Sequence, residues 1–337
     1  MLNIALIGCG QWGPNLVRNF ALNPRCRLTY VCDLDTARLK SIRERLLGVE
    51  TVTDYREMLQ DDEVDAVLVA TPITTHYQIV RDSLEAGKHV LSEKPLTENY
   101  RSSLELADIA ESVNRTLMVG YVFLFNAAVR KTVEYIRSGD LGQIQYVHAV
   151  RTNLGPIRYD VNALWDLASH DVAILLHCLE EMPASVSCTG GRFIGNPQPD
   201  VATLILSFPS GRMGFLYVSW LDPRKVRQIT FVGTKKMLLF DDLGVLEPLR
   251  IYDKGVQRDA YSDTYGAHLM AVRSGEVVLP HVSGSEPLAE ECQAFVSAVL
   301  DGVDNPGIGK LPLQVAAVLS AAEASLNNNG SGEKIQC

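Results

Sequence analysis

The stretch Leu2-Asn3-Ile4-Ala5-Leu6-Ile7-Gly8-Cys9-Gly10-Gln11-Trp12-Gly13 decides the fold. An apolar run breaks into Gly-x-Gly-x-x-Gly, and continuous apolar runs are how buried parallel strands read. Gly8 permits a tight turn, Gly10 removes the Cβ that would block a phosphate, and Gly13 lets the following helix pack on the strand. Pro14 sits where a first helical turn tolerates a missing N–H. The helix, about 14–21, aims its N-terminus and the positive end of its dipole at a pyrophosphate. A second apolar run, Leu28–Cys32, ends at Asp33, about 20 residues beyond the glycines, where an acidic residue bonds the adenosine ribose. Asp35 and Thr36 serve as the N-cap region of the next helix, which leaves Asp33 for that role. A dinucleotide-binding unit therefore opens the chain.

Outward from this unit, strand and helix patterns alternate to about residue 122. Val64–Ala70 closes at Thr71-Pro72, a helix over 75–86 ends at Gly87, and His89–Ser92 stops at Glu93-Lys94-Pro95. Alternation of this kind predicts a parallel sheet covered on both faces. A helix near 126–138 then leads to the turn-rich Ser138–Gly142. Beyond it strands dominate, at 143–151, 184–189, 202–208, 214–220, 228–232 and 237–240, joined by turns that favour an antiparallel sheet. Helices are expected at 163–178, 287–300 and 312–326. The stretch 252–282 lacks clear periodicity and reads as a loop over the site or a partner subunit, and the polar 327–337 as a frayed tail. The expected division is 1–122 for the Rossmann domain, 123–330 for an α+β domain and 331–337 for the tail.

Composition sets bounds. The 337 residues suggest two domains, carry a net charge of −9 and have 47% hydrophobic residues. The acidic balance and the absence of long like-charge runs argue against nucleic acid as a partner. No apolar run approaches the roughly 18 residues of a membrane span, and the N-terminus lacks a signal-peptide pattern, so a cytoplasmic protein with no membrane partner is expected. Seven cysteines without a C-x-x-C spacing point to reduced thiols, with neither a disulfide framework nor a structural zinc site.

Two stretches carry chemistry. Glu93-Lys94-Pro95 lies at the carboxyl end of a parallel strand, where open α/β sheets bind their ligands. Asp166 and His170 are i and i+4 on a helix and share a face. Histidine can take a proton from an alcohol near neutral pH. Two ligands on one helix do not make a metal site, and no metal is expected.

Gly8–Gly13, Asp33, Ala70-Thr71-Pro72 with His76, Glu93-Lys94-Pro95, Gly120-Tyr121-Val122-Phe123, Gly139–Gly142 and Asp166 with His170 resemble, in order, the motifs of the Gfo/Idh/MocA oxidoreductases. The resemblance implies an N-terminal Rossmann domain and a C-terminal α+β domain with a large, mostly antiparallel open sheet. It implies that Lys94 is the catalytic lysine and that Asp166 and His170 face the substrate, with His170 as acid/base. Cofactor contacts then fall to Gly8, Gly10, Gln11, Trp12, Gly13, Asp33, Arg38, Thr71, Pro72, His76, Glu93 and Lys94. Substrate contacts fall to Tyr121, Asn153, Arg158, Asp166 and His170. Asp33 favours NAD over NADP by repelling a 2′-phosphate. Leu124-Phe125-Asn126-Ala127 departs from the Arg and Phe-Asn-Pro of many relatives, removing a cation near the substrate.

The run 151–166 resembles members acting on nucleotide-linked sugars in polysaccharide or lipid A pathways, among them UDP-N-acetylglucosamine 3-dehydrogenases. Arg151, Asn153, Arg158 and Tyr159 are its candidates for sugar hydroxyls or a diphosphate. The expected activity is oxidation of a sugar hydroxyl, with a free sugar or inositol, a redox-neutral NAD-using reaction and a nucleotide sensor as alternatives. The resemblance also implies a homodimer or homotetramer formed through the C-terminal sheet.

Overall fold

A computed structural model gives the fold and describes residues 1–195, 197–258 and 270–336. Two compact bodies emerge. The first holds 1–125 and 285–320, and the second holds 126–284 and 321–336. The sequence expectation of one boundary near 122 is corrected here, because the chain returns to the first body after residue 284.

In the first body, β1 (Leu2–Ile7), β2 (Cys26–Cys32), β3 (Glu50–Val52), β4 (Ala66–Val69), β5 (His89–Glu93) and β6 (Leu117–Gly120) form one sheet in the order β3-β2-β1-β4-β5-β6. Every pairing within it is parallel. The order reverses between β1 and β4, the switch point at which doubly wound sheets open a crevice for a dinucleotide. Helices α1 (Gly13–Ala21), α2 (Thr36–Arg45), α3 (Tyr55–Leu59), α4 (Ile73–Glu85) and α5 (Tyr100–Ser112) connect the strands. Helices α2 and α3 start where an aspartate can cap them: Asp35 accepts from the Ala37 N–H and Asp54 from the Arg56 N–H. All four residues of β4 are fully buried. At about 1.5–3 kcal/mol for each buried Val or Leu, this run anchors the crevice walls.

The second body opens with α6 (Ala127–Arg137), capped by Asn126, and β7 (Ile144–Leu154). It continues through α7 (Ser169–Leu179), β8 (Ser185–Gly191), β9 (Val201–Ser207), β10 (Met213–Ser219), β11 (Leu221–Gly233), β12 (Met237–Asp241), β13 (Leu249–Arg258) and β14 (Met270–Val278). After α8 (Pro287–Asp301) and α9 (Lys310–Asn327), β15 (Glu333–Lys334) completes a sheet ordered β14-β13-β12-β11-β7-β10-β9-β8-β15. All of its pairings are antiparallel except β10 with β7.

Two expectations are overturned. The stretch read as a loop over 252–282 contains β14 and most of β13, which pair with each other; residues 259–269 of that reading lie outside the described residues. The tail read as frayed forms β15 against β8, with Glu333 opposite Val186. No helix among the described residues is long and apolar enough to cross a membrane.

Candidate active site

At the end of β1 the chain turns through Gly8 at φ +96°, a conformation that side-chain-bearing residues rarely adopt. A Cβ there would stand 2.7 Å from the Ala70 carbonyl oxygen. One at Gly13 would stand 2.2 Å from the Gly8 carbonyl oxygen. Both glycines are demanded by the turn itself. Gly10 differs, since the nearest atom to its missing Cβ is Arg38 Nη1 at 3.7 Å. Its open side is what a close backbone approach to a pyrophosphate needs. Trp12 caps α1 and is 39% exposed.

Asp33, at the end of β2, is gripped from two sides. Its Oδ2 accepts from the Cys9 N–H at 2.6 Å and its Oδ1 from the Asp35 N–H at 2.8 Å. These bonds fix the carboxylate beside the glycine turn, and each oxygen keeps a lone pair for a further donor. Arg38 stands 3.6 Å from the same carboxylate.

Thr71 and Pro72 follow β4. His76 is 1% exposed and its ring nitrogens lie 2.9 Å from the Pro95 carbonyl oxygen and 2.8 Å from that of Thr71. The imidazole ties the turn after β4 to the turn after β5, so it shapes the crevice from within. Glu93 ends β5 and Lys94 follows it, both partly exposed; the Lys94–Pro95 peptide is cis. Dense packing pushes the Glu93 carboxyl up to about 7, against the opposing pull of the Lys94 charge. Tyr121 is buried at 2% exposure.

In the second body the polar cluster forms where the chain enters α7. The preceding turn, Leu164–Ala168, is π-helical, a geometry frequent at functional sites. It replaces the start of the single helix expected over 163–178. Asn162 Oδ1 accepts from the Trp165 N–H at 2.9 Å. Glu323 accepts from Asn162 Nδ2 at 2.9 Å and from the Trp165 indole at 3.1 Å. This brace holds the turn that carries Asp166. Asp166 Oδ1 accepts from Arg158 Nη1 at 3.1 Å, and Oδ2 from the Trp220 indole N–H at 3.2 Å. Asp166, Leu167 and His170 are partly exposed, whereas Ala168 and Ser169 are buried.

Arg158 also donates to Asp160 at 3.0 Å. Burial works against its charge, and the Asp160 and Asp166 carboxylates more than offset it. Asn153 donates to the Gly155 carbonyl at 2.6 Å, which shapes the loop from which Arg158 reaches out. Tyr159 is 79% exposed.

Arg151 is a correction. It is buried and makes a two-point pair with Asp171, at 3.0 and 2.7 Å. A guanidinium committed to a buried carboxylate locks β7 to α7 and does not meet a sugar. Trp220, Asn162 and Glu323 are contacts that the sequence reading missed, because each lies tens of residues away from at least one partner. A tryptophan closing an amphipathic strand was the one available signal.

A model of an oxidoreductase family with an NAD-binding Rossmann fold matches residues 2–121, and a model of the GFO/IDH/MocA C-terminal domain matches residues 129–239. The chain belongs to the Gfo/Idh/MocA oxidoreductases. As a member it is an NAD-dependent oxidoreductase acting on hydroxyl groups. Among similar proteins of the family, a myo-inositol 2-dehydrogenase of Thermotoga maritima is 25% identical, over 85% of this chain and 92% of its own. The solved structure of GenD2 from gentamicin A biosynthesis, in complex with NAD, superposes with a TM-score of 0.84 at 23% identity, covering 100% of this chain and 97% of that one. UDP-N-acetylglucosamine 3-dehydrogenase from Acidithiobacillus ferrooxidans superposes with a TM-score of 0.81 at 22% identity, covering 98% and 99%.

Proposed function

We propose that this Gfo/Idh/MocA member oxidises a secondary hydroxyl of a nucleotide-linked sugar, with UDP-N-acetylglucosamine oxidised at C3 as the leading substrate. The observation that carries the reading is the braced Asp166, held by Arg158 and Trp220 four residues before His170. A carboxylate fixed in this way orients a polyol, and a neighbouring imidazole removes its proton. NAD supplies a hydride acceptor. Gly10, Gln11 and Trp12, at the N-terminus of α1, hold the pyrophosphate, and Asp33 takes the ribose hydroxyls.

In the proposed reaction His170 takes the hydroxyl proton while the hydrogen on the same carbon leaves as hydride. Lys94 stabilises the oxygen as negative charge develops on it. Asp166 favours the protonated form of His170 after transfer. The carbinol becomes a ketone, and the two electrons leave with the hydride.

The anionic part of the substrate falls to the end of β7. There Leu154 pairs with Leu221 and Thr152 with Val226, so the residues between 221 and 226 bulge from β11. The bulge exposes Arg224 and Lys225 beside the loop carrying Arg158 and the exposed Tyr159. Guanidinium and ammonium groups of this kind suit a diphosphate.

Oxidation of inositol is the second reading, favoured by the Thermotoga maritima relative. Incubation of purified protein and NAD with UDP-, dTDP- and GDP-sugars, free sugars and inositols, followed by NADH absorbance, separates the readings. Signal with UDP-N-acetylglucosamine and none with inositols is expected. Signal with inositols alone would move the assignment to the second reading.

We propose further that copies of the chain associate through the outer sheet face. That face displays Tyr146, Ile205, Met213 and Phe215, the first three at 37–41% exposure. Phe215 pairs with Ile205 across the strands and its ring meets that of Tyr146 edge to face.

A further inference from the structure

Glu291, on α8, is fully buried, and neither of its carboxyl oxygens has a hydrogen-bond partner among the described residues. Its neighbour is another carboxyl. A Cβ placed on Gly120 would stand 3.4 Å from Glu291 Oε1 and 3.5 Å from Glu93 Oε1. Two acids therefore converge on the one position at the end of β6 that carries no side chain. Glu93 keeps a partly exposed edge and is followed directly by Lys94. Glu291 has neither solvent nor a cation of its own.

An isolated buried carboxylate costs so much solvation that the group takes a proton instead. Two carboxyls in one buried site do not both ionise. We propose that Glu93 and Glu291 form a carboxyl pair of which only Glu93 ionises, and that Glu291 is a positioning residue. As a neutral acid, Glu291 leaves Glu93 as the one member of the pair that carries negative charge beside Lys94 when it ionises. A second charge behind Glu93 would compete for the Lys94 ammonium and draw it away from its place. The role of Lys94 rests on the reaction proposed above; the protonation of Glu291 does not.

The surroundings agree. The elements against this part of α8 are α1, the turn Val122–Phe125 and the ends of β5 and β6. Their titratable groups are Lys94, Glu93, Tyr121 and Arg18; α8 and its N-cap add Glu286, Cys292, Glu290, which accepts from Ser285, and Asp301, which is ion-paired to Arg25, and β2 adds Cys26. Arg18 is ion-paired to Glu286. Cys292 is a buried thiol pushed well up by burial and by the two glutamates. Burial, then the Glu93 charge, likewise holds the Glu291 carboxyl well above the usual carboxylate range.

The test is carboxyl-carbon NMR of the full chain labelled at glutamate Cδ, titrated from pH 5 to 9. Glu93 should titrate at about 7, a second glutamate resonance should keep the protonated shift above that pH, and this second resonance should be absent from Glu291→Gln. Melting temperature provides a second readout. Because a raised carboxyl pKa means the native state binds more protons than the unfolded one, stability is full at low pH and falls as pH rises. Glu291→Gln should flatten the alkaline part of that fall and leave NAD affinity within about threefold, a difference of less than about 1 kcal/mol. If the variant fails to fold, the wild-type titration still decides. Ionisation of every glutamate below neutrality, or an unchanged slope in a folded Glu291→Gln, overturns the proposal. Neither readout needs a substrate, so failure of the sugar assignment and failure of the carboxyl pair are told apart.

Discussion

Lys94 and His170 are the residues on which the proposed chemistry rests. Replacing His170 with alanine removes the proposed base, and kcat/KM should fall about 10²–10⁴-fold. Lys94→Ala should abolish measurable turnover while NAD still binds, as followed by cofactor fluorescence quenching. Loss of both binding and turnover in Lys94→Ala would mean a disrupted turn, not a missing catalytic group. The motif residues were legible because their roles are local. Gly8 and Gly13 answer to a turn within one strand–helix unit, and Asp33 to a strand end. Arg151 was misread because its partner Asp171 lies 20 residues away, and a polar residue at the end of a strand looks the same in sequence whether it is paired or not. His76 is a cofactor candidate in the sequence, but the bonds of its ring are not legible there, since the turn it reaches lies 19 residues away.

At the scale of elements, the parallel sheet could be read strand by strand, because doubly covered strands are apolar along their whole length. The outer strands of the second sheet could not. β13 and β14 mix charges with Gly255 and Gly275, and exposed valines such as Val256 and Val272 offer no core-facing alternation. β15 is two residues long and gains its identity only from β8. The π-helical turn was likewise hidden, since Glu323, which braces it, lies 158 residues from Trp165. The coupling of β7 to α7 through Arg151 and Asp171 gives a prediction. Arg151→Met leaves Asp171 buried and unpaired, which should destabilise the second body by about 3–5 kcal/mol. Urea unfolding followed by the fluorescence of Trp165 and Trp220 measures this. A loss below about 1 kcal/mol would show that the pair adds little.

At the scale of the whole molecule, the division into two bodies was legible only at its first boundary. Composition changes near 125, where alternating units give way to strands. The return of 285–320 to the first body leaves no such mark, because a helix like α8 reads the same in either body. The outer face of the second sheet carries the assembly proposal. Ile205→Arg places a charge among Tyr146, Met213 and Phe215, so light scattering should show a smaller particle than the wild type, with the far-UV spectrum unchanged. An unchanged particle mass would remove this face from the assembly.

The reaction itself is tested most directly by following the hydrogen. UDP-N-acetylglucosamine carrying deuterium at C3 is incubated with the protein and NAD, and the reduced cofactor is analysed by mass spectrometry and proton NMR. The account predicts NADH labelled at nicotinamide C4, formed together with a 3-keto sugar nucleotide. Unlabelled NADH, or cofactor that binds and is never reduced by this substrate, would contradict it.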